Sequence, residues 1–298
     1  MSRTVGLLIN ETKPAAVEAA RDLSAFLEKS GVTVLSQDAI ATLLADTGCQ
    51  SVPTRDDVVI HSDFIVVFGG DGTLLAACRT VAPHGKPILA AHLGHFGFLT
   101  QVSPERLRGA VERVLTDHVP IEERGMLQAQ VRRADSDNPN DCETLFGMND
   151  VVVASGAVRL IYVQTRVNDE LLATYAADGV IVATPTGSTG YSLSAGGPLV
   201  HPSAPVFVIA PICPHTLAAR PMVIPDTETV TLCIEPHRPD TSGIASIDGQ
   251  IEVVIAPGDI VSVSQAPCKV KFLQVGDSPS FYEKIRTRWH YAERQNGG

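Results

Sequence analysis

The run Phe64-Ile65-Val66-Val67-Phe68-Gly69-Gly70-Asp71-Gly72-Thr73-Leu74-Leu75 is an apolar strand that breaks into a glycine turn carrying a single acid. Glycines let backbone N–H groups approach a phosphate with no Cβ in the way, and a helix starting at Thr73 would add its positive N-terminal end. An acid inside such a loop is unfavourable beside phosphate unless a metal ion lies between them or the acid takes a proton from a nucleophile. Asp71 therefore points to phosphoryl transfer. Gly70, Gly72 and Thr73 would then hold phosphate oxygens through backbone N–H groups and one hydroxyl. An Asp-Gly turn at a strand end is the ordinary alternative, and on these residues alone the two stand level.

A second block, from Asp178-Gly179 through Val180 to Thr184 and on to Gly187-Ser188-Thr189-Gly190-Tyr191-Ser192-Leu193-Ser194 and Pro198, runs a short β-branched strand into hydroxyls and glycines. These are too polar for a core and too rich in donors for an ordinary linker. Met148-Asn149-Asp150 lies between the two blocks, and Ser246-Ile247-Asp248-Gly249-Gln250 follows them. With these four motifs in this order the chain closely resembles the NAD kinase family. Collinearity continues through Leu93 to Leu99, Pro211-Ile212-Cys213-Pro214-His215, Arg220-Pro221 and the tail Phe281 to Trp289, so the resemblance covers nearly the whole chain.

That resemblance implies transfer of the γ-phosphoryl of ATP to the 2′-hydroxyl of the adenosine ribose of NAD, giving NADP, with Mg²⁺ or another divalent cation accompanying ATP. Inorganic polyphosphate stands as the alternative donor. A sugar hydroxyl is a poor nucleophile and needs a carboxylate to orient it and accept its proton, which makes Asp71 the catalytic candidate. Ligation of Mg²⁺ is the rival role for Asp71, and the sequence leaves both open. Asn149 can offer an acceptor and a donor to adenine N6 and N7, and Asp150 can accept from two adjacent ribose hydroxyls. A turn before the strand Val151 to Ala154 is the ordinary reading of that pair. Thr189, Tyr191 and Ser194 match dinucleotide-contacting positions in relatives, with Gly190 and Ser192 in the same stretch. Asp178 matches an acid that reaches the dinucleotide from the tetramer interface, and Arg159 and Gln250 match weaker members of the ligand set. Two departures stand out. Gly190 replaces the alanine of many relatives and mainly adds backbone freedom. Ala176 stands where some relatives carry arginine, which removes a charge near the nicotinamide end and predicts that NADH is accepted as well as NAD.

These side chains need a scaffold. Val5 to Ile9 (strand), Pro14 to Lys29 (helix, Pro14 near its start, Gly31 beyond its end), Val32 to Leu35, Phe64 to Phe68, a helix from Thr73, Ile88 to Ala91 and a helix from Pro104 to Thr116 read as a Rossmann-like α/β domain with a parallel sheet. The glycine loop then lies at the carboxyl end of a strand, where open α/β sheets bind ligands. After Pro120 the chain turns to short β-rich segments: Leu127 to Arg132, Val151 to Ala154, Leu160 to Val167, Val180 to Thr184, Val206 to Ala210, Thr229 to Ile234, Ile251 to Ile255, Ile260 to Ser264 and Val270 to Val275. They predict antiparallel sheets packed as a β-sandwich. The expected division is 1–120 for the α/β domain, 121–275 for the β-rich dinucleotide domain, and 276–298 for a tail that returns to the first domain. The polar run 135–141 reads as a solvated hairpin tip.

Composition narrows the alternatives. A formal net charge of −10 argues against a broad nucleic-acid footprint. Six scattered cysteines contain no C-x-x-C pair, so neither a zinc site nor a disulfide framework is indicated and a reducing cytoplasm is expected. Val5 to Ile9 is too short for a signal-peptide core, and no apolar run approaches the roughly 20 residues of a membrane span. His92, His95, His201 and His215 lack ligand spacing, and no residue is assigned to a resident metal. The P-loop, dehydrogenase and nucleophile-elbow frames are absent. Diacylglycerol-type lipid kinases share a Gly-Gly-Asp-Gly-Thr loop, but the Asn149-Asp150 and Asp178 to Pro198 motifs do not support that reading. A non-catalytic NADP sensor would have no use for Asp71. The expected partners are therefore NAD and ATP, in a homodimer or homotetramer.

Overall fold

A computed structural model describes residues 3–93, 97–99, 101–135, 142–157, 159–236, 242–276 and 279–289. The chain divides into two compact units, one formed by Met1–Glu123 with Val270–Gly298 and the other by Arg124–Lys269. In the first unit the strands β1 (Thr4–Ile9), β2 (Thr33–Gln37), β3 (Gln50–Val52), β4 (Phe64–Gly69) and β5 (Pro87–His92) form a parallel sheet in the order β5-β4-β1-β2-β3. The helices α1 (Pro14–Lys29), α2 (Asp38–Leu43), α3 (Arg55–Ile60), α4 (Asp71–Val81) and α5 (Pro104–Thr116) connect and cover it.

Local sequence explains these elements. Pro14 opens α1, where a missing N–H costs nothing, and Gly31 follows its end at φ +71. Ala16, Ala20, Leu23 and Leu27 of α1 recur at helical spacing and pack with Leu107, Val111 and Val114 of α5 against Phe64, Val66 and Phe68. Every residue of β4 is buried. Helices cover both faces of this central parallel strand, so it reads as a continuous apolar run. Thr54 and Asp57 close α3 with a reciprocal capping box.

The second unit holds two mainly antiparallel sheets. One contains β6 (Ile121–Arg132), β7 (Cys142–Gly147), β9 (Ile161–Val167), β10 (Glu170–Ala177), β14 (Val230–Ile234) and β17 (Ile260–Leu273). The other runs β13-β12-β11-β8-β15-β16, from β13 (Met222–Pro225) and β12 (Val206–Ile212) through β11 (Gly179–Ala183) and β8 (Asp150–Ser155) to β15 (Gly243–Ile247) and β16 (Ile251–Ile255). Alternate side chains such as Val151, Val153, Val180 and Val182 meet Val163, Leu232, Val261 and Val263 in one core, so this unit is a β-sandwich. The opposite face of the second sheet, Val152, Ile181, Val208 and Ala210, is covered by Ala195 and Val200, which follow the short helix α6 (Tyr191–Ser194). The hydroxyl-rich segment is thus folded back onto the sheet by its own apolar residues.

Two boundaries differ from expectation for physical reasons. Helix α4 begins at Asp71 rather than Thr73, because Gly70 in extended backbone serves as its N-cap. The strands expected at 260–264 and 270–275 are one strand, β17, which continues through Pro267. Its first residues pair with β14, and Lys271 and Phe272 pair with β5 in the first unit's sheet. Helix α7 (Phe281–Trp289) also belongs to the first unit. Most of the 135–141 tip, His95 and the end of the tail beyond residue 289 lie outside the described residues.

Candidate active site

The glycine loop is set by parallel register. Ile9 lies opposite Phe68 and His92 opposite Gly69, so the turns after β1, β4 and β5 emerge side by side. Asp71 sits in the first turn of α4, and its carboxylate accepts the Phe98 N–H at 3.0 Å and the Leu99 N–H at 3.3 Å. A Cβ on Gly97 would overlap that carboxylate, so only glycine lets the 97–99 segment come so near. The Thr73 hydroxyl lies over Gly69, where a Cβ would strike it, and accepts from Asn10 Nδ2 at 3.2 Å. Gly70 is open. Among the described residues a Cβ there would meet only the Lys13 ammonium, 3.7 Å away. Its φ of −104° needs no glycine, so the missing side chain serves space beside a cation rather than backbone conformation. Lys13 and Asn10 escaped the sequence reading. The signal was present in the Asn10-to-Pro14 step from strand to helix, but its closeness to Gly70 depends on the β1–β4 register.

The Asn149-Asp150 turn belongs wholly to the second unit. Asp248 builds it, accepting the backbone N–H groups of Met148 at 3.0 Å, Asn149 at 2.7 Å and Asp150 at 3.2 Å, while its own N–H donates to the Asp150 carbonyl at 2.9 Å. The hydroxyl of Thr184 donates to the Met148 carbonyl at 2.7 Å and the Thr184 N–H to the Asn149 carbonyl at 2.9 Å. Gly187 closes the turn from the other side, since a Cβ on it would overlap the Asn149 carbonyl oxygen. Gly190 faces the Asn149 and Asp150 side chains, its Cβ position lying 3.7 Å from Asn149 Nδ2 and 4.0 Å from Asp150 Oδ2. Asn149 Oδ1 is buried and has no hydrogen-bond partner among the described residues. A native site seldom leaves such an acceptor idle, and it suits an incoming N–H donor. Asp150 is only 5% exposed, and burial, reinforced by the neighbouring Asp248 charge, pushes its carboxyl up to about 7.

The remaining candidates fall into two groups. Thr189 donates to the Thr186 carbonyl at 3.1 Å, Tyr191 is 48% exposed rather than a core aromatic, Ser194 is exposed, and Ser192 is buried beneath Gly197. Gln250 is exposed in the β15–β16 hairpin. Asp178 and Arg159 are exposed at the other end of the β8–β11 pair, where Gly179 faces Ala154 while Asp150 faces Ala183. Four residues of strand, about 13 Å, separate the two ends, so one chain does not bring Asp178 and Arg159 to the Asn149-Asp150 turn.

Fold and side chains together define a class: a parallel α/β unit with a glycine–acid loop suited to phosphate, and a β-sandwich unit with a buried Asn-Asp turn suited to a nucleoside. Residues 5–119 match the ATP-NAD kinase N-terminal domain and residues 148–275 the ATP-NAD kinase C-terminal domain. The NAD kinase of Moorella thermoacetica is 39% identical over 285 residues, covering 95% of this chain and 88% of that one. That of Heliobacterium modesticaldum is 40% identical over 286 residues, covering 96% and 98%. Among solved structures, yeast NADH kinase complexed with NADH superposes with a TM-score of 0.87 at 24% identity, over 99% of this chain and 90% of that one. An NAD kinase from Archaeoglobus fulgidus in complex with ATP gives 0.68 at 24% identity, over 92% and 94%. The chain belongs to the NAD kinase family.

Proposed function

We infer that this chain is an NAD kinase that transfers the γ-phosphoryl of ATP to the 2′-hydroxyl of the adenosine ribose of NAD, releasing NADP. The observation that carries the reading is a match to both halves of the family in a chain that keeps Asp71 at the N-terminus of a helix beginning where a parallel strand ends. Asp71 would accept the proton of the attacking hydroxyl, and Gly70, Gly72 and Thr73, with Lys13 beside them, would hold phosphate. Asn149 and Asp150 would read adenine and ribose, with Thr189, Gly190, Tyr191, Ser192, Ser194 and Gln250 along the dinucleotide. Among the described residues no group of three or more His, Cys, Asp or Glu is placed to hold a metal ion. The divalent cation would arrive with the donor as MgATP, and polyphosphate is the alternative phosphoryl source. The distance of Asp178 and Arg159 from the Asn149-Asp150 turn fits their reaching the dinucleotide from another copy, as in a homodimer or homotetramer. The functional division remains 1–120, 121–275 and a returning tail. No described helix is long and apolar enough to cross a membrane, and six free cysteines favour the cytoplasm. The test is NADP formation by the purified chain from NAD and MgATP. A folded, NAD-binding protein that forms none, with polyphosphate and other triphosphates also tried, overturns the reading in favour of a sensor.

Asp150 makes the reaction pH-dependent. Only its ionised form accepts from two ribose hydroxyls, so NAD binding draws on the deprotonated population. With the carboxyl near 7, NAD affinity is expected to rise about tenfold between pH 6 and pH 8. Asp150→Asn should flatten that profile, and a parental slope in the variant counts against the assignment. Stability runs the other way. The folded state holds the proton to higher pH than the unfolded chain, so stability falls as pH rises from about 4 to about 7.

Ala176 predicts the acceptor range. It is half-buried on β10, and its carbonyl accepts the His215 N–H at 2.8 Å. With no cation at this position, initial rates with NADH are expected within about tenfold of those with NAD, less than 1.4 kcal/mol of discrimination. Ala176→Arg should favour NAD. A strong NAD preference in the parent would sink the idea.

A further inference from the structure

We propose that Lys284 is a positioning residue for phosphoryl transfer, acting on Asp71 through the peptide bond between Phe98 and Leu99. The proposal rests on the reading of Asp71 as the group that takes the hydroxyl proton. All the atoms involved belong to the first unit.

Helix α7 carries Glu283, Lys284, Arg286 and Arg288 beside the half-buried Phe281 and Ile285. A cavity of about 350 Å³ lies between it and the 97–99 segment, lined by Gly97, Phe98, Pro279, Glu283, Lys284 and Arg288. Two cationic side chains border that gap. The Lys284 ammonium donates to the Phe98 carbonyl at 2.9 Å, and the Arg288 guanidinium stands over the Phe98 ring at 5.1 Å. These two contacts tie the helix to the segment at Phe98.

The acceptor of Lys284 matters because of what lies across the amide. The Phe98 carbonyl and the Leu99 N–H belong to one planar peptide group and point in opposite directions. Lys284 therefore holds the oxygen of the group whose N–H donates to Asp71 Oδ1 at 3.3 Å. The Phe98 N–H, one peptide earlier, donates to Asp71 Oδ2 at 3.0 Å. An ammonium on the carbonyl polarises the amide and strengthens its N–H as a donor, and it fixes the plane of the peptide. Both oxygens of Asp71 are thereby oriented by a segment that Lys284 and Arg288 tether. A carboxylate that must accept a proton from one hydroxyl in one direction is sensitive to such orientation, since a displacement of about 1 Å costs about a hundredfold in rate.

The experiment uses the full chain carrying Lys284→Met or Lys284→Arg, with initial rates against NAD and MgATP and hydrogen exchange at the Phe98 and Leu99 amides. Lys284→Met is expected to lower kcat about ten- to a hundredfold, to leave both KM values within about twofold, and to speed exchange at those two amides while protection in the parallel sheet is retained. Lys284→Arg keeps a charged donor of similar reach and should restore most of the rate. Parental kcat in a folded Lys284→Met protein overturns the proposal. So does a loss confined to KM, or amide protection that does not change. Should Lys284→Met fail to fold, Lys284→Leu, which also lacks a donor, takes its place with the same expected results. An inactive parent would overturn the kinase reading together with this one, whereas an active parent with an unaffected Lys284→Met variant overturns this one alone.

Discussion

Asp71→Asn is expected to lower kcat for NADP formation by about two to four orders of magnitude, the range lost when a positioned general base is removed. Asparagine matches the carboxylate in shape, so the variant should fold. Its one carbonyl oxygen can accept from either Phe98 or Leu99 but its amide nitrogen cannot accept, so one of the two N–H contacts is lost. That loss is worth about 1 kcal/mol and should appear as a small fall in Tm. NAD affinity should be close to parental, because Asn149 and Asp150 belong to the other unit. Melting, NAD titration and kcat on the same preparation check the pattern. Raising Mg²⁺ or Mn²⁺ separates the two roles open to Asp71: a lost metal ligand is partly rescued by more cation, and a lost base is not. Parental kcat in a folded variant would remove Asp71 from the chemistry.

Most of what led to Asp71 was legible because it is local. The apolar run 64–68, the two glycines and the acid are contiguous, and Pro14, Gly31 and Pro104 mark helix ends by backbone chemistry alone. Among the strands that escaped reading, β15 shows side chains of little contrast. In β15, Gly-Ile-Ala-Ser-Ile alternates between buried and half-buried, yet its small residues give no such pattern in sequence. Glycine begins that strand because a Cβ at Gly243 would press on the Ala154 carbonyl, a constraint that comes from the neighbouring strand. The segments 260–264 and 270–275 read as two strands, but β17 is long enough for its ends to serve different partners, β14 first and β5 last. Lys13 beside Gly70 and Lys284 on Phe98 are contacts across register and chain distance, which no short window of sequence contains. The burial of Ser192 between the exposed Tyr191 and Ser194 is likewise set by the short helix, which turns every third or fourth side chain inward.

Asp248 is the clearest case of a function invisible in its own neighbourhood, and its removal should have the largest effect on the second unit. Asp248→Ala leaves the N–H groups of Met148, Asn149 and Asp150 without their acceptor in a turn that is largely buried. Each buried donor left unsatisfied costs about 1–3 kcal/mol, and water entering the space left by the carboxylate offsets part of the total. Asp248 also holds φ +53, a left-handed conformation that Asp and Asn tolerate and alanine resists by about 1 kcal/mol. A fall of about 3 kcal/mol or more in stability is therefore expected, together with weakened NAD binding as Asn149 and Asp150 lose their fixed geometry. Asp248→Asn separates the causes. It keeps the left-handed turn and one acceptor oxygen, and it removes the charge that helps hold the Asp150 carboxyl up. Its stability should lie between parent and Asp248→Ala, and its NAD affinity should depend less on pH below 7 than the parent's. If Asp248→Ala melts with the parent, the three N–H bonds do not hold the turn. If Asp248→Asn keeps the parental pH profile, Asp150 owes its raised carboxyl to burial alone.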